Sequence, residues 1–176
     1  NYNHFKQTIE NGTPIVMFDR VPTSIACDKV VTDNITSASN TVEYLYKKGH
    51  KKIAFISTMS DLNIGKQRFI GYKKGLEKVG LAFNENLVLN ILEKDYKKYV
   101  KQVKPFIQNN EIDAVIATGE SVAVSAMKAI KKSGKKIPKD VAVIAFSNGI
   151  LSRHSSPKMT TISQHGEQMG AKATQI

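Results

Sequence analysis

The chain has 176 residues, 41% of them hydrophobic and 23% charged, enough to bury a core and too apolar for wholesale disorder. Its net charge of +11 favours anionic partners, but the lysines fall mostly in pairs, such as Lys47-Lys48, Lys73-Lys74 and Lys131-Lys132, at helix ends and on polar helix faces, which reads as solvated surface rather than a nucleic-acid contact. The longest apolar stretches, Ile53 to Ile56 and Val141 to Phe146, are too short to span a bilayer, no secretory signal opens the chain, and the single cysteine, Cys27, fits a reducing compartment and ordinary packing.

Strand and helix signals alternate along the chain. The first eleven residues resemble a helix stopped at Asn11-Gly12. Residues 14–18 and 29–32 read as short strands. Asp33 or Asn34 caps a helix that carries Ala38, Val42, Leu45 and Tyr46 on one face and stops at Gly49. Residues 52–57 form a strand, 68–79 a helix, 87–92 a strand, and 96–109 a helix that Pro105 would kink or divide. Residues 113–117 form a strand and 121–132 a helix. Residues 141–146 and 160–163 are extended, and a last helix begins at Gly166. Strands separated by helices of this length imply an α/β fold, with parallel sheets flanked by helices. Ligands in such sheets lie beyond the carboxyl ends of the strands. The residues to inspect are therefore Asp19-Arg20, 58–65, 118–121 and 147–156.

Catalytic patterns are missing at those positions. Gly65-Lys66 lacks the earlier glycine and the following Ser or Thr of a phosphate loop, and no GxGxxG follows a strand. His4, His50, His154 and His165 show no metal-ligand spacing, and there is no nucleophile elbow. His50 follows a helix-ending glycine, where a cation suits the last carbonyls. Asp19 and Glu120 stand at strand ends with no nucleophile beside them, which favours hydrogen bonding to ligand hydroxyls over acid–base work. No cofactor or metal is expected.

Several segments in one order carry a resemblance: GTPIVMFDRV, the helix running into GH and a basic pair before a strand, R-x-x-G-Y within RFIGYKKGLEKVGL, G-x-x-IP-x-D-V-x-V, and P-x-x-TTI-x-Q within PKMTTISQHGEQMGAKA. Together they are similar to the effector domain of the lactose/galactose-repressor family of bacterial transcription regulators. The resemblance implies a two-subdomain, periplasmic-binding-protein-like (type I) fold, truncated at both ends. Residues 1–33 would be the remainder of the N-terminal subdomain, 34–159 most of the C-terminal subdomain, and 160–176 the crossover and helix returning to the first. A helix-turn-helix, the first half of the N-terminal subdomain and a final strand or two would lie outside the chain.

The same resemblance implies a small sugar-like effector held in a cleft between subdomains, and a cytoplasmic homodimer that contacts DNA through the helix-turn-helix and no membrane. The effector contacts carried over are Asp19, Arg68, Glu120, Ser147 and Gln164, with Leu62 and Ile64 on a cleft loop against a sugar's apolar face. From the residues alone, Arg68 also reads as a surface helix residue, Asp19 as a turn or hinge residue, and Glu120 as a carboxylate favoured at a helix N-terminus. Gly119-Glu120 stands where the family usually has Asn-Asp, and Ser147 where it usually has Asp. The ligand is therefore expected to differ from a simple neutral hexose, with a phosphorylated or acidic sugar one option. A periplasmic sugar-binding protein of a transporter is the alternative of the same fold, and a small α/β enzyme such as a sugar isomerase or hydrolase is a third reading.

Overall fold

The computed structural model describes residues 2–176, which divide into two compact units. The smaller comprises 2–33 and 164–176. It contains α1 (Asn3–Glu10), the parallel pair β1 (Val16–Phe18) and β2 (Asp28–Val30), and a helix near the chain's end, Gly166–Ala173, that packs on both strands. Val21, Ile25 and Met169 are its buried apolar residues.

The larger unit, 34–163, is a five-stranded, all-parallel sheet. In chain order its elements are α2 (Asn34–Lys47), β3 (Ile53–Ser57), α3 (Asn63–Lys78), β4 (Val88–Asn90), α4 (Tyr99–Asn109), β5 (Ala114–Ala117), α5 (Glu120–Lys132), β6 (Ala142–Phe146), α6 (Ile150–His154) and β7 (Thr160–Ile162). The helix of the smaller unit is then α7. The strand order is β4-β3-β5-β6-β7. The chain runs outward from β3 to β4 and then returns to the other side of β3, so the order reverses between β3 and β5. Thr160–Ile162 pairs in register with Ile144–Phe146, and the unit boundary falls after Ser163.

Strands buried on both faces read as continuous apolar runs, as here. Ile53, Phe55, Ala114, Ile116, Ile144 and Phe146 face Ala38, Val42 and Leu45 of α2 and Tyr72 and Leu76 of α3. Ala54, Ile56, Val115, Ala117, Val143 and Ala145 face Val103 and Ile107 of α4 and Val122, Ala126 and Ile130 of α5. Tyr46, expected on the apolar face of α2, is exposed instead. Pro105 neither ends nor divides α4, which continues through it after a 3₁₀ turn at Tyr96–Lys98. Helix α3 begins five residues before the expected start, and α6 falls in a stretch read as loop. No described helix is long and apolar enough to cross a membrane.

Helices α2 and α3 cross closely because α3 presents glycine at the contact. A Cβ at Gly71 would overlap the Ile35 carbonyl oxygen and lie 2.8 Å from Ala38 Cβ, and one at Gly75 would lie 2.7 Å from Val42 Cβ. Alanine gains about 1 kcal/mol over glycine in helix propensity. Overpacking against a backbone carbonyl costs about 1–3 kcal/mol, so Gly71→Ala should lower stability despite that gain, measured by urea unfolding.

Tyr72, one residue on, is wholly buried and its hydroxyl donates to the Ile53 carbonyl at 2.8 Å. Burial pushes its ionisation well above the ordinary tyrosine range. The folded state therefore favours the protonated phenol. That contribution to stability is complete below about pH 10, the unfolded value, and is lost as pH climbs beyond it. Tyr72→Phe should cost about 1 kcal/mol at neutral pH for the lost hydrogen bond. It should also flatten the alkaline fall in stability that begins near pH 10, the phenol's usual pKa, followed by denaturant melts from about pH 9 to 11.

Candidate functional site

Polar residues are buried at and around the carboxyl ends of β3, β5 and β6. Ser57, Thr118, Ser147, Asn34 and Arg68 are all buried. Thr118 Oγ1 donates to Ser57 Oγ at 3.3 Å and accepts from the Thr58 backbone N–H at 3.3 Å, while the Met59 N–H donates to Ser57 Oγ at 3.1 Å. These contacts join the ends of β3 and β5, where the strand order reverses.

Arg68 reaches this point from the second turn of α3. It is 1% exposed, which overturns the reading of a surface helix residue. Its Nε donates to Asn34 Oδ1 at 2.8 Å, and Nη1 donates to the Thr118 carbonyl at 2.8 Å. The guanidinium lies over the Phe146 ring, 4.1 Å from its centroid, a cation–π stack inside the protein. A fork of planar donors suits this position as an ammonium would not.

The early start of α3 corrects the placement of two other residues. Leu62 is the half-buried N-cap of α3, and Ile64 lies in its first turn, 5% exposed, not on a loop. The turn is tight because a Cβ at Gly65 would fall on the Met59 carbonyl.

Glu120 is the first residue of α5 and is half-buried. Its Oε1 accepts from Ser147 Oγ at 2.9 Å and from the Ser152 backbone N–H at 2.7 Å. Ser147, directly after β6, is 3% exposed. The larger unit thus brings Arg68, Glu120 and Ser147 to neighbouring strand ends. Arg68 binds the carbonyl two residues before Glu120 and stacks on the ring one residue before Ser147.

In the smaller unit, Asp19 directly follows β1 in the left-handed region, φ 62°, which Asp tolerates better than most residues. Its side chain is 42% exposed and lies 3.8 Å from Arg20 Nε. Gln164 is the half-buried residue at which the chain re-enters that unit. Sequence reasoning missed Asn34 and Phe146, which hold Arg68, as site residues. Asn34 reads as a helix cap and Phe146 as ordinary strand core, and only the sheet topology brings them to Arg68. Among the described residues, no three His, Cys, Asp or Glu gather to hold a metal ion.

A parallel α/β sheet with polar groups gathered at its switch point is an architecture that ligand-binding domains use. The chain belongs to the family of the periplasmic binding protein-like domain, whose model it matches over residues 42–176. Its relatives are lactose-repressor-family transcription regulators, as the sequence resemblance implies, rather than transporter-binding proteins. It is 28% identical over 171 residues to the HTH-type transcriptional regulator CelR of Thermobifida fusca, covering 95% of this chain and 50% of that protein. It is 32% identical over 166 residues to the catabolite control protein A of Streptococcus mutans, covering 93% and 49%. A solved structure of a transcriptional regulator CelR–cellobiose complex superposes with a TM-score of 0.85 at 28% identity, over 97% of this chain and 53% of that one. The chain spans about half the length of the curated relatives it matches.

Removing the guanidinium would leave the Thr118 carbonyl and Asn34 Oδ1 without this donor. Each buried acceptor left unsatisfied costs about 1–3 kcal/mol. Arg68→Ala should therefore unfold at clearly lower denaturant, and Arg68→Lys should recover only part of the loss, because one ammonium cannot bridge both acceptors and stack flat. Chemical denaturation of the three proteins checks this.

Proposed function

We propose that this chain is the effector-sensing part of a DNA-binding transcription regulator, a repressor by kinship, that binds a sugar-like small molecule and catalyses nothing. The observation that carries the reading is the convergence of Arg68, Glu120 and Ser147 at the strand ends of a family member whose relatives regulate transcription. Asp19 and Gln164 are the smaller unit's proposed contributions, and Leu62 and Ile64 the proposed apolar ones. Effector binding would shift an equilibrium between two arrangements of a cytoplasmic homodimer. Operator affinity would change through a helix-turn-helix outside this chain, with a coupling of about 1–3 kcal/mol.

The test is calorimetric titration of the full-length protein with cellobiose, the sugar in the solved CelR complex, and with a sugar phosphate, followed by operator binding with and without the sugar. Saturable binding of either class, a changed operator affinity and no turnover are expected. Asp19→Asn and Gln164→Leu should each weaken binding about 10-fold or more, the loss of one good polar contact of about 1.4 kcal/mol. Asp19→Asn is preferred to alanine because asparagine also tolerates positive φ. Binding of the sugar phosphate alone would favour an acidic ligand. Turnover of either sugar would overturn the reading.

A further inference from the structure

The segment after β6 is folded around one carboxylate. Two of its donors, Ser147 Oγ and the Ser152 backbone N–H, end on Glu120 Oε1. Gly149 packs so closely that a Cβ there would fall on the Glu120 carboxyl group. The segment also closes on itself. The Gly149 N–H donates to Ser147 Oγ at 3.0 Å, and Ser152 Oγ donates to the Gly149 carbonyl at 2.7 Å. Ser155 Oγ then donates to the Ser152 carbonyl at 3.1 Å and accepts from the Met159 N–H at 2.9 Å. Met159 is buried in the core on the α4–α5 side of the sheet, just before β7. A continuous polar chain therefore runs from the first residue of α5, through three serines, to the start of the edge strand.

We propose that Glu120 is a positioning residue of the effector site, acting through Ser147 and Ser152 to hold residues 147–155 in place. Positions 120 and 147 then work as one acceptor–donor pair, and the specificity of the site depends on the pair. What the pair requires of position 120 is an acceptor at the end of a side chain of this length, not a negative charge. The segment it holds carries Ile150 and Leu151 outward, both exposed, so the contacts to Glu120 join the site to that apolar surface. The link to effector binding rests on the proposed function, whereas the positioning of the segment does not.

The experiment is native-state amide hydrogen exchange on the full-length protein without ligand, in wild type, Glu120→Gln, Glu120→Ala and Gly149→Ala. Glutamine keeps the accepting oxygen, so Glu120→Gln should protect residues 149–155 nearly as wild type does. Glu120→Ala should lower protection there by about 10-fold or more while β3 and β5 keep theirs, as expected for losing the two hydrogen bonds that hold one local unit. Gly149→Ala, which keeps the Glu120 side chain but forces it and the segment apart, should reproduce the local loss and serves if Glu120→Ala fails to fold. Unchanged protection of 149–155 in both alanine variants would overturn the proposal, and so would a Glu120→Gln protein as loose as Glu120→Ala. Cellobiose and sugar-phosphate titration of the same four proteins gives the second readout. With a sugar that binds wild type, Gly149→Ala, which removes no proposed contact, should weaken binding as Glu120→Ala does. If neither sugar binds wild type, that result counts against the effector reading, and the exchange data alone decide the positioning role.

Discussion

A guanidinium buried in the protein is the constraint around which the larger unit is arranged. Arginine stays charged at any pH a cell meets, so its interior position requires acceptors with correct geometry. They come from separate parts of the chain: Asn34 opens α2, Thr118 follows β5, and Phe146 ends β6. Arg68 itself is on α3. One side chain thus ties two helices to two strand ends, and the tie lies where the strand order reverses. The three named residues of R-x-x-G-Y then have separate jobs on adjacent turns. Arg68 enters the polar cluster, Gly71 admits α2, and Tyr72 fastens the helix to β3.

Much of this was legible from the residues. The alternation of apolar runs with helical stretches gave the parallel sheet, because strands covered on both faces must be apolar throughout, as Ile53–Ile56 and Val143–Phe146 are. Asn11-Gly12 and Gly49 marked helix ends correctly, and both glycines have positive φ. Helix α6 was not legible. It is five residues long, and its Ser152 N–H is held by a carboxylate 32 positions away, a contact that no local propensity encodes. The start of α3 was misplaced for a related reason. Asn63, Ile64 and Gly65 offer little helix propensity, and the tight approach of Gly65 to the Met59 carbonyl is visible only in three dimensions.

The candidate residues were legible by position and not by contact. Strand ends point to Glu120 and Ser147 and the family resemblance to Arg68, yet neither tells what those side chains already hold. Gly119-Glu120 and Ser147 read as two separate departures from the Asn-Asp and Asp that the resemblance implies. The hydrogen bond between Glu120 and Ser147 joins the two positions.

The sheet of the larger unit ends at β4 on one side and β7 on the other. End strands offer unpaired backbone groups to other chains, a route to edge-to-edge association. The net charge of +11 acts against that route between identical copies, which repel one another before their strands can meet. This repulsion reaches only about 10 Å at 0.1 M salt and about 3 Å at 1 M. The colloidal behaviour of the isolated chain is thereby set by its ionic surroundings, with dilute buffers keeping copies apart and concentrated salt letting their sheet edges approach.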